Sequence, residues 1–109
     1  MKIYWKIFTD ANDYKKSEKV LKWVFDKLGI KGDSPSIDKY HKGGYVCSFS
    51  VEETSPSWEV VVIQTLQKAQ IVGRSWSISG NIEIELDLWS NESTVSGVTS
   101  LQVSVCKNA

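Results

Sequence analysis

Between Trp76 and Leu88 every even-numbered residue except Gly80 is apolar (Trp76, Ile78, Ile82, Ile84, Leu86, Leu88), while the odd-numbered ones are Ser77, Ser79, Asn81, Glu83, Glu85 and Asp87. Alternation with period two is the pattern of sheet that turns one face to a core and the other to water. A chain with such a segment has to fold around a sheet and supply other elements to cover its apolar side. The watered face carries three carboxylates, Glu83, Glu85 and Asp87, followed by Trp89.

The rest of the chain offers those elements. Ile3, Trp5 and Ile7 alternate with Lys2, Tyr4 and Lys6, which predicts a first strand with an inward odd face and a basic outward face, stopping near Asp10. Asp10, Asn12 and Asp13 can accept from free N–H groups at a helix start, and Tyr14, Leu21, Val24, Phe25 and Leu28 recur at helical spacing until Gly29. Lys15, Lys16, Lys19, Lys22 and Lys27 fill the other face of this helix. A loop containing Gly32, Asp33, Pro35 and Gly43-Gly44, mobile around Lys39 to Lys42, leads to a second strand with Tyr45, Cys47, Phe49 and Val51 inward.

Ser55-Pro56 predicts the start of a second helix, with proline at the first helical position, where its missing N–H costs nothing. Trp58, Val61, Val62, Leu66, Ala69 and Ile71 form its apolar face up to Gly73. Strands at 75–79 and 82–89 follow, joined at Ser79-Gly80-Asn81 by either a tight hairpin or a bulge. Ser90 to Gly97 reads as a loop, and Leu101, Val103 and Val105 as a last strand. The expected fold is α+β in β-α-β-α-β-β order: one compact domain over residues 1–109, with an antiparallel-rich sheet of four to five strands and two amphipathic helices packed on one face. If the first strand neighbours the acidic one, Lys2 and Lys6 become cross-strand partners of Glu83, Glu85 and Asp87.

Thirteen Lys+Arg balance thirteen Asp+Glu, which argues against the basic footprint of a nucleic-acid binder. The balance hides a division. Residues 1–51 hold ten lysines and six acids, a net of +4, and residues 52–109 hold three bases and seven acids, a net of −4. Charge interrupts the first residues before any secretory apolar run forms, and no stretch approaches the roughly 20 apolar residues of a membrane span. Cys47 and Cys106 read as reduced thiols of a cytoplasmic protein, with a Cys47–Cys106 bridge as the alternative in an oxidising compartment.

Catalytic equipment is sparse. His41 is the one histidine, placed in a Gly-rich loop beside Tyr40 with no local nucleophile motif. Glu52-Glu53 and the 83/85/87 set lie on surfaces with no apolar pocket to shift their pKa values. No second histidine or thiolate pair offers a metal site, and Gly43-Gly44 is too short for a phosphate-binding loop. An enzyme is not expected, nor a cofactor.

The block Leu66-Gln67-Lys68-Ala69-Gln70, then Gly73-Arg74-Ser75-Trp76-Ser77-Ile78-Ser79-Gly80, the acidic strand through Leu88-Trp89, and Ser96-Gly97-Val98 resembles small immunity proteins of bacterial polymorphic-toxin and contact-dependent growth inhibition systems. The resemblance covers about the C-terminal half. It implies a cytoplasmic, non-enzymatic antitoxin that binds the toxin domain of a sister cell's effector, commonly a nuclease, and blocks its active site. It assigns no residue roles.

Face and charge therefore define the expected partner-binding site: Glu83, Glu85, Asp87, Trp89, Asn91 and Glu92, against a toxin domain with a basic nuclease cleft and without direct contact to nucleic acid or membrane. Two other classes remain open at this level. A structural or adaptor domain of a mobile element would self-associate through an uncovered edge strand. A small-molecule binder would need a pocket lined by some of Trp5, Trp23, Trp58 and Trp76.

Overall fold

The structure, a computed structural model, describes residues 1–107. Its elements are β1 (Lys2–Thr9), α1 (Tyr14–Leu28), β2 (Asp33–Lys39), β3 (Tyr45–Glu52), α2 (Trp58–Val72), β4 (Gly73–Arg74), β5 (Ser77–Ser79), β6 (Glu85–Ser90), β7 (Glu92–Ser93) and β8 (Val98–Cys106). Six strands form one sheet in the order β2-β3-β1-β8-β6-β5, with every neighbouring pair antiparallel, and β4 pairs with β7 in a small second sheet. The class is α+β as expected, with more strands than the four to five counted from the sequence.

Parity builds the core. Ile3, Trp5 and Ile7 of β1, Cys47 and Phe49 of β3, Leu86 and Leu88 of β6, and Leu101, Val103 and Val105 of β8 are all buried under the helices. The α1 helix begins where the Asp13 carboxylate accepts from the Lys16 N–H at 2.9 Å and ends at Gly29, whose φ of +67° suits glycine. Phe25 meets Phe49 edge to face with ring centroids 4.7 Å apart, which seats α1 over β3. Two indoles seat α2 against the other end of the sheet: Trp58 donates to the Ile82 carbonyl at 2.8 Å, and Trp76 to the Ala69 carbonyl at 3.1 Å.

Several expectations are corrected. The segment Asp33–Lys39 is not loop but an edge strand on β3. It lacks an apolar alternation because only Ile37 reaches partial burial, and an edge tolerates Pro35, whose missing N–H can face away from the ladder. The α2 helix starts two residues late, capped by Ser57, so Pro56 precedes the cap instead of opening the helix. Tyr14, Trp23 and Ile71 lie on the outer sides of their helices. The loop from Ser90 to Gly97 contains β7.

The largest correction concerns the alternating segment itself. Gly80 to Ile84 is a turn: the N–H groups of Ile84 and Glu85 both donate to the Asn81 carbonyl at 2.9 Å, and the Glu83 N–H donates to the Asn81 side chain at 3.1 Å. The join is a hairpin, with Ser79 opposite Asp87 and Ile78 opposite Leu88. Ile78, Ile82 and Ile84 consequently remain 54%, 48% and 50% exposed, while Leu86 and Leu88 are buried. No helix among the described residues is long and apolar enough to cross a membrane.

Both cysteines are free. They sit on β3 and β8 with β1 between them, Cys47 on the buried side and Cys106 exposed, so the alternative bridge has no geometry. Burial pushes the Cys47 thiol from 9.0 to about 11, with the nearby Asp38 charge adding to it.

Two outcomes test this packing. Leu86→Ala should lower the unfolding free energy by about 2–5 kcal/mol, and Ile84→Ala by less than about 1 kcal/mol in the same urea titrations; equal losses would restore a continuous strand through Ile84. A thiol reagent at neutral pH should label Cys106 in the folded protein and Cys47 only after unfolding. Because the folded thiol at Cys47 holds its proton to higher pH than the unfolded one, stability should fall as pH rises from 9 towards 11; a Cys47→Ala variant should lose that part of the decline.

Candidate protein-binding face

The side of the sheet that no helix covers is laid out by register. Tyr4 stands opposite Ser50 and Ser104, Lys6 opposite Ser48 and Gln102, and Phe8 opposite Val46 and Ser100. Across the sheet Asp87 stands opposite Ser104 and Ser79, and Trp89 opposite Gln102 and Ser77. Small hydroxyl side chains thus form most of this surface, and the charged and aromatic groups rise above them.

Because β8 separates β1 from β6, Lys2 and Lys6 are two strand spacings from Glu85 and Asp87, roughly 9–10 Å in the plane of the sheet. They are not direct cross-strand partners of the carboxylates. Lys2 is opposite Glu52 instead, and Glu52 takes the Met1 ammonium at 2.9 Å, the one salt bridge among the described residues. Glu85 and Asp87 therefore stand on a half-open surface without an ion-pair partner.

At one end of this face four rings form a chain. Trp89 meets Phe8 at 5.5 Å between centroids, Phe8 meets Tyr40 edge to face at 5.2 Å, and Tyr40 meets His41 at 4.7 Å. The indole is clamped: Trp89 Nε1 donates to Asn91 Oδ1 at 3.1 Å, and Ser100 Oγ donates to the same oxygen at 2.9 Å. Trp89 still exposes 38% of its surface. Phe8, Tyr40 and Trp89, with Asp10, Lys42 and Ser100, line an open cleft of about 560 Å³.

A tight hairpin holds Tyr40 in place. The Tyr40 N–H donates to the Gly44 carbonyl and the Gly43 N–H to the Tyr40 carbonyl, each at 3.0 Å. Gly43 and Gly44 have φ of +97° and +72°, and a Cβ on Gly44 would lie 1.8 Å from the Thr9 carbonyl oxygen. The hairpin backbone can close on the end of β1 only with glycine there.

Of the six residues expected at the site, four come together: Glu85, Asp87, Trp89 and Asn91. Glu83 lies in the turn beside α2, lining a groove with Trp58, Ile63 and Ile82. Glu92 belongs to β7, opposite Arg74, where its carboxylate accepts from the Ser75 hydroxyl at 2.7 Å. The face also recruits Phe8, Tyr40 and Ser100. Outward parity from Ile3, Trp5 and Ile7 already marked Phe8, whereas Tyr40 had no signal in a segment read as loop.

Nor do the four tryptophans proposed as pocket walls converge. Trp5 and Trp58 are core, Trp76 is half-buried against α2, and Trp23 lies outside α1 with the Lys19 ammonium 5.9 Å from its ring. Among the described residues no three His, Cys, Asp or Glu side chains group as a metal site. No family model, curated protein or solved structure matches the chain.

The hairpin contacts generate a paired test. Gly43→Ala meets open space and should cost about 1–2 kcal/mol for its left-handed backbone. Gly44→Ala also strikes backbone and should cost clearly more, with the Phe8, Tyr40 and Trp89 ring resonances displaced in NMR spectra; equal effects would mean that the hairpin does not close against β1.

Proposed function

We propose that the chain is an immunity protein, an antitoxin that neutralises a cognate bacterial toxin domain by binding it, in the cytoplasm and without chemistry of its own. One observation carries this reading: Glu85 and Asp87 stand without ion-pair partners on the uncovered face of the sheet, in line with a tryptophan that is clamped yet partly exposed. Held rigidly, an indole loses little entropy on being covered, and aromatic anchors beside desolvated charge dominate many protein interfaces. Carboxylates spaced along a strand suit a cleft built for phosphates, so the partner is a basic toxin domain, most simply a nuclease. An antitoxin must leave very little toxin free, which calls for nanomolar affinity, about −12 kcal/mol.

Support also comes from the resemblance of the C-terminal half to immunity proteins, in which the part of the acidic segment from Glu85 to Trp89 lies in β6. Where a neighbouring gene encodes a protein that ends in a toxin domain, co-expression with that domain should restore growth and yield a complex that survives gel filtration. Glu85→Lys with Asp87→Lys should then weaken binding by a hundredfold or more, and the association rate should no longer decline with added salt. Since neither carboxylate sits in the core, the melting temperature should move by only a few degrees. Unchanged affinity in a folded double variant would remove this face from the interface.

A further inference from the structure

The uncovered face of the sheet has a second cleft, at the opposite end of β1 from the ring cluster. Alternation turns Lys2, Tyr4 and Lys6 outward, and the register sets Ser50 beside Tyr4 and Ser48 beside Lys6. On the other flank of β3, Asp33 stands opposite Ser50 and Ser36 opposite Ser48, with the ladder broken between them. Ser34, at that break, holds its φ at +47°. All of these residues except Ser36 line a cleft of about 290 Å³ whose floor is the β1–β3 ladder.

None of the polar side chains in this cleft has a partner in the fold. Among the described residues its two ammoniums, its carboxylate and its hydroxyls enter no side-chain hydrogen bond and no salt bridge. For the exposed groups water suffices. Ser50 differs, because it is only 8% exposed and its hydroxyl meets solvent only through the cleft. A hydroxyl taken this far from water without a protein partner is a cost to the fold, and an occupant of the cleft removes it. Two ammoniums against the one carboxylate of Asp33 leave the lining net positive, while the half-exposed Tyr4 ring and the lysine stems supply apolar walls.

We propose that this cleft binds a small organic phosphomonoester. Lys2 and Lys6 bracket Tyr4 at roughly 13 Å along the strand, and their long flexible stems let both ammoniums close on one dianion between them. The hydroxyls of Ser48 and Ser50 donate to its oxygens, the second of them gaining the partner that the fold withholds. Asp33 repels a bare anion but accepts from a hydroxyl carried beside the phosphate. The site therefore prefers a hydroxylated ester to inorganic phosphate. The carbon part lies against the Tyr4 ring and the lysine stems, and the volume suits a molecule the size of a polyol or sugar. The cleft belongs to the half of the chain with a net of +4 and shares no residue with the carboxylates and Trp89, so the inference stands independently of the immunity reading.

Titration of the isotope-labelled full chain with glycerol phosphate should move the amide resonances of Tyr4, Lys6, Asp33, Ser34, Ser48 and Ser50 to saturation, at lower concentration than inorganic phosphate does. Lys2→Gln with Lys6→Gln should weaken binding tenfold or more, and Ser50→Ala several-fold. Because the Ser50 hydroxyl bonds nothing in the fold, Ser50→Ala should leave the melting temperature unchanged, and it decides the matter if the double variant does not fold. Asp33→Asn should abolish the preference for the ester over inorganic phosphate. Phosphatidylcholine vesicles containing phosphatidic acid separate the sources of the same group. A soluble ester gives no co-sedimentation, whereas co-sedimentation that glycerol phosphate reverses keeps the site and assigns it to a lipid headgroup. Shifts largest at the lysines of α1, no saturation at millimolar ligand, or binding indifferent to Ser50→Ala and to the lysine pair would each overturn the proposal.

Discussion

β8 ladders with β1 from Tyr4 to Thr9 on one side and with β6 from Glu85 to Ser90 on the other. Its inward residues Leu101, Val103 and Val105 are buried at the middle of the core. The strand therefore joins two sub-sheets that have no other ladder in common, β2-β3-β1 and β6-β5. Its pairing with β1 closes a loop of nearly the whole chain, an entropic cost that burial on the helix side has to offset. Electrostatics follow from the same placement. By entering between β1 and β6, β8 sets Gln102 between Lys6 and Trp89 and Ser104 between Tyr4 and Asp87, so that Asp87 has no lysine opposite it, while the Glu85 carboxylate accepts from the Asn81 N–H at 3.3 Å.

The ring cluster also depends on β8. Phe8 and Trp89 belong to strands two spacings apart, yet their centroids are 5.5 Å apart. They lean over β8, which offers only Ser100 opposite Phe8, and the Ser100 hydroxyl is turned to Asn91, the residue that holds the indole. Bulk at position 100 would separate the rings. Tyr40 then extends the cluster from a hairpin whose closeness to β1 is permitted by Gly44.

Strand order also turns the division of charge along the chain into one across the molecule. β2, β3, β1 and α1 come from the half with a net of +4, whereas β8, β6, β5 and α2 come from the half with a net of −4. Trp89 and the carboxylates of β6 lie in the negative half, and the lysine-rich outer face of α1 lies over the other sub-sheet.

Local chemistry written in the chain determined the start of α1 to within Asp10, Asn12 and Asp13, its stop at Gly29, most of the apolar face of each helix, and the inward parity of β1, β3, β6 and β8, because each depends only on neighbours a few residues away. From these the class, the uncovered face and the outward positions of Glu85, Asp87 and Trp89 were legible. Tertiary structure decided the rest. Period two continued through Ile82 and Ile84, but alternation cannot distinguish a strand from a turn that happens to keep its parity, and hydrogen bonds to Asn81 close one there. Nor does the pattern state where a covering helix stops, which is why Ile78, inward by parity, is largely exposed. β2 left almost no periodic trace, since an edge strand with one half-buried isoleucine draws its order from β3. The partners of Lys2 and Lys6 were set by which strand entered between β1 and β6, a choice made by the packing of the whole core and invisible in any local window.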